Sequence, residues 1–225
     1  MLTAAGTSPH APTLRYMATP SRKRRSAEET RRLVIDAAID WIEENGFAGL
    51  KIVDIARASG VSDVLIVRHF TDRAGLLTAA LVDLWERYMT EPIDQARATI
   101  EALPDDQITI DLLVTLGIHP NDEFRRRRRW ARLQVLAASP ELSELAHLIK
   151  DTQSRLNREH EELIDYVRSR MPGQHFPSSR VMRMLQQSIG FGFVMEDLTD
   201  SPISDQELDD FLRVFYQRMY DPALD

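Results

Sequence analysis

The sequence predicts an all-α protein with an N-terminal three-helix domain and a larger C-terminal helical domain. Three observations support this fold class. Apolar residues recur at helical spacing in segment after segment beyond residue 26, and no segment alternates as a half-buried strand does. Near the N terminus, two short helical segments meet at a tight Gly60-Val61 corner. Two short helices that meet at such a corner form a helix-turn-helix.

The N-terminal part divides into a leader and a small domain. Residues 1–20 contain three prolines and no helical period, so we expect a disordered leader, with translation from Met17 as an alternative to Met1. Ser26 and Glu29 form a predicted capping box at the head of the first helix, and Gly46 ends that helix. The segments Ile52 to Ser59 and Ser62 to Phe70 complete a three-helix domain over residues 21–75.

The C-terminal domain, residues 76–225, is predicted to contain only further helices. A joining helix follows Asp72 and continues through Trp85. We expect the longest helix to begin at Pro140 and to run through Val167, because proline favours the first helical position. The last two predicted helices run from about Ser178 to Leu198 and from Ser204 to Tyr220.

Composition excludes several classes of function. The chain has no cysteine, which rules out disulfides, thiol chemistry and cysteine-based zinc sites. No apolar run reaches the ~18 residues of a membrane span, and no secretory signal is evident, so we expect a cytoplasmic protein without membrane contact. The sequence has no nucleophile and base pair, no metal-ligand spacing and no glycine-rich phosphate loop. We therefore expect no enzyme, no catalytic residue, no metal and no cofactor.

The distribution of charge limits where nucleic acid can bind. The net charge is −7, so contact with a phosphate backbone needs a local basic patch. Between Arg22 and Leu77 there are ten basic and nine acidic residues, and four of the basic residues stand together at positions 22–25. A flexible basic arm of this kind can lie along phosphates or in the minor groove. A solubilising charge cluster is the alternative interpretation.

Residues Thr30 to Leu77 resemble the DNA-binding domain of the TetR family of bacterial transcription repressors. The matching pattern, at the family's spacing, consists of Ala37-Ala38, Gly46-Phe47, Asp54-Ile55-Ala56, Gly60-Val61-Ser62, His69-Phe70, Arg73 and Leu76-Leu77. The resemblance implies a helix-turn-helix DNA-binding domain followed by a helical ligand-binding and dimerisation domain. The predicted function is that of a ligand-responsive repressor, acting as a homodimer on a palindromic DNA operator.

The resemblance also implies which residues contact DNA. Ser62 matches the residue that caps the recognition helix, and His69 and Arg73 match positions that approach phosphates. Together with the basic arm and the recognition helix, the predicted DNA-binding residues are Arg24, Arg25, Lys51, Ser62, Asp63, Val64, Leu65, Val67, Arg68, His69 and Arg73.

Five of these positions depart from the residues that the family usually has. The family usually has a capping Thr at position 51, a polar or basic residue at 63, a small residue at 64, a Thr at 65 and a Tyr at 67. Val64, Leu65 and Val67 offer no side-chain donor to phosphate, although they can contact thymine methyl groups. The alternative hypothesis is a TetR-like protein whose degenerate helix-turn-helix binds a protein partner instead of DNA.

The C-terminal domain contains candidates for a small-molecule site. Arg126 shares a helical stripe with Trp130, so it can bury its stem or bind an anionic ligand. Thr152 and His160 are polar positions on an otherwise apolar stripe, where polar groups can orient a ligand. Paired arginines and a hydrogen-bonded core histidine are the alternatives. The predicted ligand-binding residues are Arg126, Trp130, Thr152, Leu156, His160 and Phe191.

The last two long helices are candidates for a dimer interface. Gly190 and Gly192 lie inside the first of them, where glycine is costly unless another helix or a ligand approaches closely. The resemblance implies that these two helices form a four-helix bundle with their mates across a two-fold axis. The predicted interface residues are Met182, Leu185, Ile189, Phe193, Phe211 and Phe215.

Overall fold

A computed structural model of the chain describes residues 25–117, 123–171 and 177–220, apart from the side chain of Phe124. Within these ranges every regular element is a helix and there is no strand, which confirms the predicted fold class. The helices are α1 (Ala27–Asn45), α2 (Ile52–Ser59), α3 (Asp63–Phe70), α4 (Arg73–Glu101), α5 (Ile110–Thr115), α6 (Glu123–Ala138), α7 (Ser143–Arg170), α8 (Ser179–Glu196) and α9 (Asp205–Tyr220), with a 3-10 turn at Asp105–Gln107. No helix in the described part of the chain is long and apolar enough to cross a bilayer.

Helices α1 to α3 form the predicted helix-turn-helix. The capping box at α1 is confirmed, because Ser26 Oγ accepts from the Glu29 amide at 3.0 Å and Glu29 Oε2 accepts from the Ser26 amide at 2.7 Å. Gly60 ends α2 with a φ of 65°, a left-handed conformation that costs glycine little. Ser62 then caps α3 by accepting from the Leu65 amide at 3.3 Å. The predicted leader at residues 1–20 and Arg24 lie outside the described residues.

Two predictions about the long helices are wrong. Helix α7 begins at Ser143 and not at Pro140, because the amides of Glu141 and Leu142 still donate to Ala138 O in the turn that ends α6. The longest described helix is α4, with 29 residues, and not α7, with 28. Helix α4 continues through Pro92, which removes one backbone donor from its interior.

The core consists of two clusters of buried apolar side chains that meet along α4. The first cluster contains residues of α1, α2, α3, the N-terminal part of α4, α6 and α7, and within it α4 packs against α1, α3, α6 and α7; its buried residues extend from Val34 to Leu156. The second packs the C-terminal part of α4 against α5, α7, α8 and α9. Met89 is the last residue of α4 in the first cluster and Ile93 is the first in the second, so Pro92 lies where the clusters meet.

Candidate functional site

The outward face of α3 is apolar at its centre. Ile66 and Phe70 are buried, whereas Val64 is 76% exposed and Val67 is 42% exposed. Leu65 is half-buried and packs against the first core cluster. The exposed apolar surface of α3 is therefore smaller than the sequence suggests and consists of Val64 and Val67.

Other predicted DNA-binding residues surround this face. Asp63 and Arg68 are exposed on α3, and His69 is half-buried. Lys51 stands at the N-cap of α2, exposed and without a side-chain capping bond. Arg25 is exposed just before α1. The face is thus of mixed charge, in agreement with the near-equal count of basic and acidic residues in this domain.

Arg73 directs its guanidinium group into the domain. Its Nε donates to Leu50 O at 2.7 Å, and its Nη2 donates to Phe47 O at 3.2 Å and to Ala48 O at 2.7 Å. These carbonyls belong to the segment between α1 and α2, so the side chain fastens the start of α4 to that segment. A phosphate contact by Arg73 would compete with these three internal hydrogen bonds.

A cavity of about 410 Å³ lies among the C-terminal helices. Its volume is within the range typical of small-molecule sites. None of the described residues that line it is acidic. Its polar lining includes Arg125, Arg128, Arg129, Arg132, His160, Gln186, Gln187 and Tyr216. Its apolar lining includes Met89, Pro92, Ile93, Ile100, Leu113, Leu163, Ile164, Val167, Ile189, Phe191, Leu212 and Phe215.

The four arginines of the cavity come from one face of α6. Residues 128, 129 and 132 follow residue 125 by three, four and seven positions, a spacing that places the four side by side on a helix. Arg129 forms a buried ion pair with Asp197, with Nη2 to Oδ1 at 2.5 Å and Nε to Oδ2 at 3.1 Å. Only 3% of the Arg129 side chain and 8% of the Asp197 side chain are exposed. This pair fixes α6 to the end of α8.

Arg128 compensates for the proline in α4. Pro92 has no amide hydrogen, so the carbonyl of Tyr88, four residues earlier, lacks its helical donor. Arg128 Nη2 donates to that carbonyl at 3.1 Å, and Arg128 Nη1 lies 3.1 Å from Glu91 Oε2. The guanidinium carbon also lies 4.6 Å from the centroid of the Tyr88 ring. The wall of the cavity is thereby bonded directly to the interior of α4.

Arg132 stands among apolar and cationic groups. Its Nη1 lies 3.5 Å from Met89 Sδ, and its guanidinium carbon lies 5.3 Å from the centroid of the Phe191 ring. Its Nε is buried and has no hydrogen-bond partner. Among the described residues, no carboxylate lies within ion-pair distance of it. Burial, reinforced by the positive charges of Arg128 and Arg129, lowers the pKa of Arg132 to about 10.

His160 contributes an uncharged imidazole to the cavity. Burial first and the charge of Arg183 second lower the pKa of His160 to about 4, against the opposing effects of Gln186 and Glu161. The side-chain amide of Gln186 donates to Tyr216 Oη at 3.2 Å. At neutral pH these groups form a polar but uncharged part of the wall, because the imidazole is deprotonated.

Two of the six predicted ligand-binding residues line this cavity, His160 and Phe191. The structure places the other four elsewhere: Arg126 is half exposed on the outer side of α6, Leu156 is buried in the first core cluster, and Trp130 and Thr152 are half-buried away from the lining. Sequence reasoning missed Arg132. The signal was present as an arginine three residues beyond Arg129, but the helical stripe was drawn through Arg126 and Trp130.

The predicted interface residues separate into two groups. Met182 and Phe193 are buried in the second core cluster of the protomer, so they are not available to a partner. Ile189 and Phe215 line the cavity, Leu185 is half-buried and Phe211 is 53% exposed. The large apolar side chains that remain exposed on the last two helices are Val181, Met184 and Met195 of α8 and Phe211 and Val214 of α9.

The exposed apolar residues of α8 lie on one stripe. Residues 181, 184, 185, 188, 192 and 195 recur at spacings of three, four and seven, which place them on one face of the helix. Gly192 lies on this stripe, and a Cβ atom added to it would meet nothing within 4 Å. Packing within the protomer therefore does not explain the glycine.

Comparison with known proteins agrees with this architecture. Residues 34–80 match the sequence profile of bacterial regulatory proteins of the tetR family. Over 87 residues, the chain is 34% identical to the HTH-type transcriptional regulator BetI of Klebsiella pneumoniae; the match covers 39% of this chain and 43% of that protein. Over 98 residues, it is 36% identical to the HTH-type transcriptional regulator CymR of Pseudomonas putida, covering 41% and 46%. The chain therefore matches less than half the length of these relatives.

Solved structures share the fold over most of the chain. A transcriptional regulator from Saccharomonospora viridis in complex with choline superposes with a TM-score of 0.63 at 20% identity, over 86% of this chain and 98% of that one. The multidrug binding protein EbrR complexed with imidazole superposes with a TM-score of 0.57 at 19% identity, over 88% and 93%. At this level of identity the likeness establishes the fold.

Proposed function

Because the chain belongs to the tetR family of bacterial regulatory proteins, we propose that it is a DNA-binding transcription regulator, acting as a homodimeric repressor whose binding to DNA responds to a small molecule. The observation that carries this proposal is the family match over residues 34–80, which spans most of α1, all of α2 and α3, and the start of α4. In this proposal the protein acts in the cytoplasm, where bacterial DNA lies, and is not an enzyme.

Selection of bound DNA tests the proposal. Purified protein is mixed with fragmented DNA of its source organism, and the retained fragments are sequenced. We expect one or a few palindromic sites, with an affinity that falls steeply as salt rises, because each phosphate contact releases counterions. Retention of no fragment at 50 mM salt, by protein that is folded and monodisperse, contradicts the proposal.

The exposed stripe of α8 and the adjacent face of α9 support a homodimer. Met184 is 51% exposed and Phe211 is 53% exposed, and an apolar face of this kind is stable in water when a second copy covers it. Met184→Glu is expected to shift the protein from dimer to monomer in sedimentation velocity. Val53→Glu is the matched control, because Val53 is 55% exposed on α2 and lies outside this face. Dimers that survive Met184→Glu would place the interface elsewhere.

The structure of α4 supports coupling between the cavity and the helix-turn-helix. The N-terminal half of α4 packs on α1 and α3, and its C-terminal half lines the cavity. Arg32 Nη1 lies 2.9 Å from Asp83 Oδ1, and Arg87 pairs with Asp36, so ion pairs join α1 to α4 just before Tyr88. A ligand that favours one position of α4 would change the spacing of the two recognition helices in a dimer.

Two solved structures of the same fold support a small-molecule effector. One contains choline and the other contains imidazole. For this chain we place the reading of DNA in residues 21–75 and the sensing and dimerisation in residues 76–225. An effector that lowers the affinity for the selected DNA sites would support this division of roles.

A second candidate function is a protein partner bound by α3 in place of DNA. Val64 is 76% exposed, and with Val67 it presents an apolar surface where the family has phosphate donors. Val67→Tyr discriminates between the two functions. A variant that binds the selected DNA sites more tightly favours DNA as the ligand of α3. If the variant still retains no DNA and no longer co-purifies with a protein that the unchanged chain binds, the result favours the protein partner. Val53→Tyr is the control.

A further inference from the structure

The charge of the cavity is one-sided. Four arginines line it and none of the described lining residues is acidic. Arg129 pairs with Asp197, Arg128 pairs with Glu91, and Arg125 donates to Gly117 O at 2.8 Å. Arg132 has no such partner among the described residues.

An unpaired guanidinium group is costly in this environment. Burial removes water from the Arg132 side chain, and Arg128 and Arg129 add like charge beside it. Its guanidinium group contacts the Met89 sulfur and the Phe191 ring, which offer only weak interactions. Structural arginines are normally satisfied by carboxylates or carbonyls. A position that keeps an arginine without such partners inside a cavity is suited to a ligand that supplies the acceptor.

We propose that the cavity binds an organic carboxylate with an apolar body, whose carboxylate group accepts hydrogen bonds from Arg132. The inference rests on the proposed function only in treating this ligand as the effector. The carboxylate provides the missing counter-charge, and the guanidinium fork matches its two oxygens. The apolar body lies against residues such as Ile93, Leu163 and Phe215. The uncharged His160 provides a further polar contact without demanding a second charge on the ligand.

Matched probes that differ in charge test the chemical class. Octanoate, octan-1-ol and octyltrimethylammonium share an apolar chain, and 4-phenylbutyrate and 4-phenylbutan-1-ol share an aromatic body. Binding to the full chain is measured by isothermal titration calorimetry at pH 7.5 without DNA. We expect at least one carboxylate to bind about tenfold or more tightly than its alcohol, because a charged hydrogen bond is lost in the alcohol. We expect no binding of the ammonium probe.

Substitution of Arg132 tests the residue. Arg132→Met keeps the volume and removes the charge, and we expect at least about a tenfold loss of carboxylate affinity with unchanged affinity for the alcohol. Arg132→Lys is expected to recover part of the affinity, since it keeps the charge and loses the fork. Arg127→Met is the control, because the Arg127 side chain is 78% exposed and lies outside the cavity.

Stability gives a second readout that does not depend on the ligand. If Arg132 is an unpaired buried charge, Arg132→Met leaves the thermal midpoint of the ligand-free protein equal or higher. A lower midpoint together with unchanged carboxylate binding would make Arg132 a structural residue and overturn the proposal. Failure of Arg132→Met to fold would also overturn it, because the argument requires that this charge does not stabilise the ligand-free protein.

The remaining outcomes are equally decisive. Equal binding of the carboxylates and their alcohols, preference for the ammonium probe, or no binding of any probe at millimolar concentration overturns the carboxylate assignment. Retention of genomic DNA fragments by the ligand-free protein is scored separately. A protein that retains DNA but binds no carboxylate fails this inference alone, and a protein that binds a carboxylate but retains no DNA fails the proposed function alone.

Discussion

Arg73 stands at a position that the family resemblance assigns to phosphate contact, yet its guanidinium group bonds to three carbonyls of its own domain. Arg73→Ala removes these donors and leaves the carbonyls of Phe47, Ala48 and Leu50 short of partners. We expect the free energy of unfolding to fall by about 2 kcal/mol, the magnitude typical of hydrogen bonds to charged groups. Urea denaturation measures this change.

Arg57→Ala is the control for Arg73→Ala. The Arg57 side chain is 77% exposed and pairs with Asp54 at 3.3 Å on the same helix, so its removal is expected to change stability by less than about 0.5 kcal/mol. Equal stability of the two variants would show that the internal bonds of Arg73 contribute little. In that case the side chain would be available to a phosphate group.

His160 makes the stability of the protein depend on pH. The pKa of His160 is lowered from 6.5 to about 4, first by burial and then by Arg183, so the unfolded chain binds a proton more readily than the folded one. The stability associated with the neutral imidazole is fully present above pH 6.5 and is lost as the pH falls toward 4. The loss amounts to about 3 kcal/mol at most.

Substitution by glutamine isolates this effect. His160→Gln should lose less stability than the unchanged protein between pH 6.5 and 4, as measured by urea denaturation at several pH values. His147→Gln should leave the pH profile unchanged, because the His147 side chain is 75% exposed. Parallel profiles for the unchanged protein and His160→Gln would mean that the imidazole is not buried in its neutral form.

The residues of the cavity were harder to predict than the residues of the helix-turn-helix. Ile55 and Phe70 could be placed in the core because spacing and the Gly60 corner define one small domain. Arg132 could not be assigned to the cavity, because arginine is usually exposed and only tertiary packing decides which face of a basic helix turns inward. Leu65 shows the same limit, since sequence alone left it exposed with Val64 and packing half-buries it.

At the scale of elements, α6 is bonded to α4 at the point where Pro92 removes a backbone hydrogen bond from α4. Pro92 leaves Tyr88 O without a helical donor, and Arg128 Nη2 supplies one at 3.1 Å. This contact belongs to the cavity wall and to α4 at the same time. A ligand that draws Arg128 away would leave the carbonyl unpaired, which provides a physical link between the cavity and the helix that reaches the helix-turn-helix.

A double-mutant cycle tests the link between Pro92 and Arg128. Arg128→Met alone leaves the Tyr88 carbonyl unpaired and is expected to cost about 1 to 3 kcal/mol. In the Pro92→Ala background the new backbone amide pairs with that carbonyl, so the same substitution should cost less. We expect a coupling energy of about 1 kcal/mol from denaturation of the four proteins.

An additive result in this cycle would exclude the carbonyl bond as the role of Arg128. The matched control is Arg127→Met in both backgrounds, which should be additive because Arg127 pairs with Glu123 on the surface of α6. The effector response of Pro92→Ala is a separate measurement, made on the DNA sites that the selection experiment identifies.

The ends of the helices could be predicted where a side chain or a glycine determines them. The capping box of Ser26 and Glu29 and the left-handed Gly60 are local features, and both were located from sequence. The start of α7 was not, because Pro140 is acceptable both in a first helical turn and in a tight connection. The chain adopts the connection, and the helix begins three residues later.

At the scale of the whole molecule, the proposed dimer and the folding of the protomer make opposite demands on Gly192. Gly192→Ala is expected to stabilise the isolated protomer by up to about 1 kcal/mol, since alanine is the better helix former. It is expected to weaken the dimer, because a methyl group would stand on the stripe where the partner helix approaches. Sedimentation equilibrium measures the dissociation constant, and thermal unfolding of dilute protein measures the protomer.

Arg57→Ala provides the comparison for Gly192→Ala. Arg57 is exposed on α2 and does not belong to the stripe of residues 181, 184, 185, 188, 192 and 195 of α8. Its substitution should leave the dissociation constant unchanged. A Gly192→Ala protein that associates as tightly as Arg57→Ala would remove the argument for close helix approach at this position.

The architecture as a whole could be predicted because helical periodicity and the family pattern agree. For the residues of the candidate interface, burial within the protomer could be predicted only in part. Met182 and Phe193 were assigned to the interface because the sequence of an apolar helix does not show which apolar residues pack inside the protomer and which face a partner. Packing within the protomer buries Met182 and Phe193 and leaves Met184 and Phe211 exposed.

The first core cluster also bears on how the chain is made. Its buried residues run from Val34 to Leu156, and α4 connects α1 and α3 to α6 and α7 within it. During synthesis at roughly 5 to 20 residues per second, α1 to α3 emerge about 4 to 17 seconds before Leu156 leaves the ribosome. Once α4 has emerged in its turn, the apolar side that it presents to α6 and α7 stays exposed until those helices are made.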